Sequence, residues 1–546
     1  MCAVRTSPRY PEDMRMNPRL YSLFRDPVFL LALTAGLIAF VVQSGELGTA
    51  DTQHRLNSTH AFWTSEPPVY DWEYPEFGVH GRGGRLQSWY GVGQSLLMLP
   101  QDMIGAFFEN LPIFSHYKNT DPTVRNIFVS FSTNILVTVL TALVCFRLLR
   151  QFGFTINHSL AAVLALLLAT THLHYTQNMM ENNYIFLLTV TGFCFEYEWL
   201  RTGRRRALLI GTGAFGLNLL TRLTTGLDLL AGIAFVLLVL LFDHAPAAQF
   251  WKSCRTYAAT AIPVYCFFGL LDRLYQFYRF GSFTNTYVSV VAHETLQHHP
   301  DWPTAYPFET PFHIGFFGAL FTQEKSIFLF DPLLILAILV AILGWRRFKS
   351  DVRAYTIAAG LLLLAYICFY ARYTVWSGDD AWGDRYVSTS VELAAILAVP
   401  LLLRYRAEFG KLIWAIGIAL LAISTVVQLA SLAFWLPLEL YQMEEFGHPT
   451  FVIALRMKNI AAFALGKMDA WGLATDSLRE DPWDYVHMTT WNFLPFLLKR
   501  VGVAPAWAVR VAFAVWFAGL AALATTLLRL WSATTKFKPK APIDIR

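Results

Sequence analysis

An all-α polytopic membrane fold of about 12 transmembrane helices is what this chain predicts, because its apolar runs repeatedly reach the roughly 20 residues a helix needs to cross a bilayer. Composition agrees: 55% of the 546 residues are hydrophobic and 15% are charged, with mean hydropathy +0.42. A soluble chain carries about a quarter charged residues. The polar chemistry, in addition, is gathered into a few loops that fall on one side, an arrangement a simple anchor does not need. The net charge of +5 gives no nucleic-acid footprint.

Taken in order, the spans are expected near 27–44, 126–149, 158–173, 182–200, 206–222, 225–242, 256–273, 327–345, 353–370, 386–403, 411–436 and 506–530. Three segments, 45–125, 274–326 and 437–505, are too long for plain connections. The chain divides accordingly into a transmembrane core, 1–436, holding the first two long loops, a further loop, 437–505, and a last span with a basic tail, 506–546. In the first loop, Val92 to Phe108 is apolar but interrupted by Gln101 and Asp102, and reads as a juxtamembrane helix lying on the membrane surface or re-entering it. The third loop has an amphipathic stretch from Phe451 to Met468 and interfacial aromatics at Trp483, Tyr485, Trp491 and Phe493.

Orientation follows from the Lys/Arg bias of short loops, which stay cytoplasmic. With the N-terminus inside, the inside segments hold Arg5 to Arg25, Arg147 and Arg150, Arg201 to Arg206, Lys252 and Arg255, Arg346 to Arg353, Arg404 to Lys411, and Lys536 to Lys540. Both termini are then cytoplasmic and the three long segments extracytoplasmic. The first apolar stretch has span length and no small-residue cleavage site after it, so it reads as a retained span. Cys2, Cys145, Cys194, Cys254, Cys266 and Cys368 fall in spans or inside, and the outer loops are expected to hold no structural disulfide and no thiolate metal site.

The chemistry concentrates in two outer loops. Asp51, just past the first span, can act as general base for a hydroxyl-bearing acceptor, or be a solvated loop carboxylate. His54 and His60 follow at spacings a metal could use, but no second carboxylate is near. Lys325, Arg385, Arg222 and Arg372 lie at outer helix ends and can together hold a lipid phosphate, while each singly reads as a snorkelling cation. Asp379, Asp380 and Asp384 can chelate a divalent ion or pair with Arg372 and Arg385, and pairing is favoured because hard cations need several oxygens in fixed geometry. His172 and His174 sit at an outer turn leading to Glu181 and can line the same site. No metal ligand set is assigned, and a divalent cation stays open as cofactor.

These motifs form a familiar order: Asp51 after the first span, Gly84-Arg85-Leu86-Gln87-Ser88-Trp89-Tyr90-Gly91-Val92-Gly93-Gln94-Ser95, then Phe321 to Phe328, then Trp382-Gly383-Asp384-Arg385-Tyr386. The chain resembles bacterial GT-C-type glycosyltransferases, the superfamily of protein mannosyltransferases and the lipid A aminoarabinose transferase. The resemblance implies a transferase of the bacterial inner membrane that takes a sugar from a polyprenyl-phosphate donor. The acceptor would be an extracytoplasmic lipid, glycan or protein. Asp51 maps to the family's proposed base, and Lys325 and Arg385 are the nearest matches to its phosphate-holding cations. His54, Tyr90, His172, His174, Asp379, Asp380, Trp382 and Tyr386 are the expected pocket. Two departures stand out: Asp51 is followed by Thr52 where many relatives have a second acid, and the sequence ends soon after its expected last span where many relatives end in a folded extracytoplasmic domain. A flippase, transporter or polymerase of lipid-linked glycans is the alternative. A transporter would be expected to show internal repeats, which this chain lacks, and would not need Asp51.

Overall fold

The computed structural model describes residues 26–117, 122–379, 381–444, 447–448, 450–474, 476–502 and 504–536. The arginines between Arg5 and Arg25, Cys2, Asp380, Lys538 and Lys540 lie outside these residues.

The described chain is almost wholly helical. Helix α1, Pro27–Val42, leads through a tight turn into α2, Ala50–His60. A short antiparallel ribbon follows, β1 (Gly78–His80) on β2 (Leu86–Ser88), with Val79 paired to Gln87. Next come α3 (Val92–Glu109), α4 (Val124–Gln151), α5 (Ile156–Ala169), α6 (His172–Gln177), α7 (Asn182–Thr202), α8 (Arg205–Leu219), α9 (Gly226–Phe242) and α10 (Ala247–Phe280). The second long loop contributes α11 (Tyr287–His298) and α12 (Phe312–Phe321). Beyond it lie α13 (Ile327–Phe330), α14 (Pro332–Gly344), α15 (Ser350–Tyr370), α16 (Ser388–Ala395), α17 (Ala398–Arg404) and α18 (Arg406–Ser431). The third long segment folds as α19 (Pro437–Glu444), α20 (Val452–Ala464), α21 (Asp476–Glu480), α22 (Pro482–Met488) and α23 (Leu494–Val501), and α24 (Ala506–Lys536) ends the described chain.

Among the described residues six helices are long and apolar enough to cross a membrane, where the sequence predicts about twelve spans in the whole chain. They are Val124–Gln151, Leu223–Phe242, Ala247–Phe280, Ser350–Tyr370, Arg406–Ser431 and Ala506–Ser532. Apolar runs at 327–345 and 386–403 are continuous in hydropathy but not in backbone. The first breaks before Pro332, whose ring cannot continue the preceding helix, and the second is divided between α16 and α17. Helices α1 and α5 are apolar but only 16 and 14 residues long. Helix α7 has the length, yet carries Asn182, Asn183, Glu196, Glu198 and Arg201.

One end of the bundle is closed by aromatic packing. Phe152, Phe193, Phe215, Phe235, Tyr197 and Tyr355 are fully buried, with ring centroids such as Phe193–Phe235 and Phe152–Tyr355 5.3 Å apart. The Phe152–Tyr355 pair is edge-to-face and the Phe193–Phe235 pair tilted, and aromatic pairs at this spacing are attractive beyond the area they bury. That end also carries ion pairs such as Arg147–Glu198 and Arg201–Asp351; a second polar cluster forms where α2, the segment around Tyr90, the start of α7, the α8–α9 turn and the loop before α16 converge.

Candidate functional site

Helix α2 is made almost entirely of polar residues, yet Thr52, His54, Arg55, Ser58, Thr59 and His60 are all buried. Burying polar groups is costly unless each finds a partner, and here many do. Ser58 and Thr59 hydroxyls donate to the carbonyls of His54 and Arg55, at 2.9 and 2.8 Å. The helix starts where Thr49 caps it, its hydroxyl accepting from Thr52 N. That places Asp51 in the first turn, where the helix dipole favours a negative charge. The preceding turn needs Gly48: its φ is +80°, and a Cβ there would meet the Asn178 backbone at 2.5 Å.

Asp51 is half-buried and doubly held. Its Oδ2 lies 2.7 Å from Arg385 Nη1, and its Oδ1 accepts a 2.6 Å hydrogen bond from the Tyr90 hydroxyl. One helical turn on, Arg55 faces the same way; its Nη2 pairs with Glu181 Oε2 at 2.7 Å and its guanidinium lies 4.3 Å from the centre of the Tyr90 ring. Glu181, at the start of α7, also pairs with Arg222. Tyr386 stacks on Tyr370 at 4.2 Å, with the Arg222 and Arg385 guanidiniums 5.2 and 5.3 Å from its ring centre. Three guanidiniums and two carboxylates thus form one cluster with a surplus positive charge.

Electrostatics follow the geometry. Burial pushes the Asp51 carboxyl up, but the Arg385 and Arg55 guanidiniums and the Tyr90 hydrogen bond outweigh it and hold the group below its ordinary value. Burial likewise opposes ionisation of Glu181, and Arg55, Arg222 and Arg385 together hold it well below the carboxylate range. The Tyr90 hydroxyl is driven up by burial and by Asp51, so it stays a donor to that carboxylate.

Distant elements place these side chains. Arg279, in the last turn of α10, donates to the carbonyls of Ser88 and Tyr90 and so holds the stretch that presents the tyrosine. Gly91 lets this stretch touch the α8–α9 turn, because a Cβ there would sit 2.2 Å from the Thr221 carbonyl oxygen. The same contact seats the neighbouring Arg222. Asn182 donates to the Arg385 carbonyl at 2.6 Å and to Ser388 Oγ at 2.7 Å, tying α7 to the Arg385 loop.

Of the residues singled out in the sequence, Asp51, Tyr90, Arg222, Arg385 and Tyr386 come together here. His54 stacks on Phe77 at 4.3 Å and lies 3.6 Å from Glu73; burial lowers its pKa against the pull of that carboxylate. Lys325 is buried elsewhere, its ammonium donating to the carbonyls of Asp379 and Ala381 and bracing the loop that ends at Arg385. Asp379 is exposed, with φ of +57°. Arg372 is exposed and forms no ion pair among the described residues. Trp382 is fully buried, with Arg456 5.3 Å from its ring centre and His174 stacked on it at 5.7 Å. Burial and Arg456 push His174 down to about 3, so it is neutral. His172 pairs instead with Glu392 at 3.0 Å within the core. Arg55 and Glu181 were not singled out for the site. Arg55 was findable, four residues after Asp51 in a polar helix; Glu181, 130 residues away, carries no local signal.

The donor set suits an anion. Among the described residues no three His, Cys, Asp or Glu side chains gather as metal ligands, and guanidiniums surround Asp51 where a divalent cation would need further oxygens. The site is therefore a half-buried carboxylate, Asp51, beside a tyrosine-lined cluster of guanidiniums.

Neither a family model nor a curated protein matches the chain. Among solved structures, the chain is similar to the crystal structure of ArnT from Cupriavidus metallidurans bound to undecaprenyl phosphate, at 14% identity and a TM-score of 0.43, covering 96% of this chain and 82% of that one. This is a loose likeness.

Proposed function

We propose that the protein is a membrane glycosyltransferase that moves a sugar from a polyprenyl-phosphate donor to an acceptor hydroxyl on the extracytoplasmic side. One observation carries the reading: a carboxylate that can take a proton, Asp51, lies directly against a cluster of guanidiniums that can hold a phosphate. The order of the sequence motifs supports it.

In this reading Arg385 and Arg222, joined by Arg55, receive the donor phosphate, and Lys325 acts by holding the Arg385 loop in place. The acceptor O–H bond breaks and its proton passes to the Asp51 carboxylate. The acceptor oxygen bonds to the anomeric carbon as the bond from that carbon to the phosphate oxygen breaks. The electron pair leaves with polyprenyl phosphate, whose added negative charge meets the guanidiniums. Preorganised cations aimed where charge develops are among the strongest contributions an active site can make. Phosphate is a stable leaving anion and needs little help from a general acid.

The deciding experiment is sugar transfer from a set of radiolabelled polyprenyl-phosphate sugars in proteoliposomes, comparing wild type with Asp51→Asn. Transfer by wild type that disappears in the variant, with donor binding retained, is the expected result. Equal transfer by both would remove Asp51 from the chemistry. Labelled lipid crossing the bilayer with no donor consumed would favour the flippase or transporter instead.

A further inference from the structure

We propose that Arg385 changes partners during the reaction, from the Asp51 carboxylate to the donor phosphate, so that the base gains strength only after the donor is seated. The inference rests on the glycosyl-transfer reading above and adds an order to it: donor first, acceptor second.

In the donor-free cluster Asp51 is a poor base by construction. One oxygen is paired with Arg385 at 2.7 Å and the other accepts from Tyr90 at 2.6 Å. An adjacent cation stabilises the carboxylate over the acid and so weakens its pull on an acceptor proton. The other titratable or charged groups that act on it are Arg55, Glu181, Tyr90 and His54. Arg55 and Arg222 are both bound to Glu181, whereas Arg385 bridges to Asp51 alone. The Arg385–Asp51 contact is therefore the pair that can open without stripping Glu181 of its partners.

Arg385 also has unused donor capacity. Its Nε is buried with no hydrogen-bond partner, and so is Nη1 of Arg55. Unmet guanidinium donors beside a carboxylate suit an anion with more lone pairs than the carboxylate offers, and a phosphate supplies them in the geometry a guanidinium fork prefers. The backbone need not move for the exchange. Asn182 grips the Arg385 carbonyl at 2.6 Å, and Lys325 fixes the preceding loop through the carbonyls of Asp379 and Ala381. Only the side chain turns, with the Tyr386 ring beside it at 5.3 Å.

The consequence for the chemistry is direct. Once Arg385 faces the phosphate, the proton leaving the acceptor oxygen goes to the Asp51 oxygen that Arg385 vacated. The same guanidinium then lies against the phosphate oxygen that gains the electron pair. One side chain thus withholds the base beforehand and stabilises the leaving group afterwards.

The test uses the wild-type protein in nanodiscs, with undecaprenyl phosphate as the probe. Protonated carboxyls are labelled with a carbodiimide and an amine across a pH series, and peptide mass spectrometry reads Asp51 and Glu181 separately. Probe binding is measured independently by thermal shift. The expected result is a titration midpoint for Asp51 that moves up by about one pH unit when the probe binds, raising its labelling about tenfold in the range where it is mostly ionised, with Glu181 unmoved. A bound probe with an unmoved or lowered Asp51 midpoint overturns the partner exchange and leaves the donor reading standing. A probe that does not bind overturns the donor reading itself. In Arg385→Gln the Asp51 midpoint should start high and gain nothing from the probe, and Arg385→Lys should restore part of the shift. If these variants fail to fold, the wild-type titration decides alone.

Discussion

Helix α2 is polar along nearly its whole length, yet His54 and Arg55 are 4% and 5% exposed. Helix α24 is apolar along nearly its whole length, yet Leu528 and Trp531 are 70% and 73% exposed. Each would be anomalous in a soluble protein, and together they show two different surroundings. Helix α24 has the length and apolar composition of a membrane span, and on such a helix an exposed apolar face is the face that would meet hydrocarbon. Helix α2 is removed from both lipid and bulk water, and its polar groups are met by carbonyls, by Tyr90 and by the Glu181 bridges. A buried polar helix costs stability unless its groups find partners, so a fold that supplies them marks the candidate site more sharply than any single residue does.

The contrast can be broken from either side. The largest effect is expected at Asp51: Asp51→Asn should lower transfer by about 10²- to 10⁴-fold, the usual share of a general base, while undecaprenyl phosphate still binds the variant. Next is Glu181→Ala, which leaves Arg55 and Arg222 buried without their carboxylate and should cost about 3–5 kcal/mol, read by chemical unfolding in detergent; a loss below 1 kcal/mol would mean that water reaches the cluster. On the other helix, Phe517→Lys places a charge on an exposed apolar face near mid-span and should cost about 2.5–3.5 kcal/mol in an insertion assay. The conservative Val515→Leu on the same helix should change stability by less than about 0.5 kcal/mol.

The pH dependence sharpens the comparison at the α2 end. Asp51 and Glu181 both have folded-state pKa values below their ordinary 3.8 and 4.5. Below about pH 4.5 the unfolded chain therefore binds more protons than the folded one, and the stability these groups contribute is full above that value and is lost as pH falls through the folded-state values. Melting temperature should drop below pH 4.5 in wild type and drop less steeply in Glu181→Gln. Equal slopes would show that Glu181 is not held as its contacts imply.

Much of the site was legible for identifiable reasons. Asp51 and Arg385 stand out because each is a charge at the edge of an apolar run, and Tyr90 and Tyr386 lie in the same motifs. Arg55 was legible in principle, since a helix brings positions four apart to one face. Trp382, read as a pocket residue, is instead a fully buried plate between Phe330, His174 and Arg456. Lys325, read as a phosphate ligand, spends its donors on two carbonyls. For both, a polar or amphipathic residue in an outer loop looks the same in sequence whether it faces a ligand or a neighbouring strand of chain. For a related reason only six of the described helices reach spanning length: hydropathy sums composition over a window, and a backbone break such as the one before Pro332 leaves that sum almost unchanged.

By itself the sequence determined that the chain is helical and largely apolar, with its polar chemistry confined to a few loops, because hydrophobicity and charge are properties of short windows. Only the tertiary structure decided that Arg385 reaches back 334 positions to Asp51, that Glu181 serves both Arg55 and Arg222, and that the backbone breaks before Pro332 within an apolar run. Those facts depend on which surfaces pack together and where the backbone turns. Long-range pairing is set by the whole bundle at once, and no local pattern encodes it.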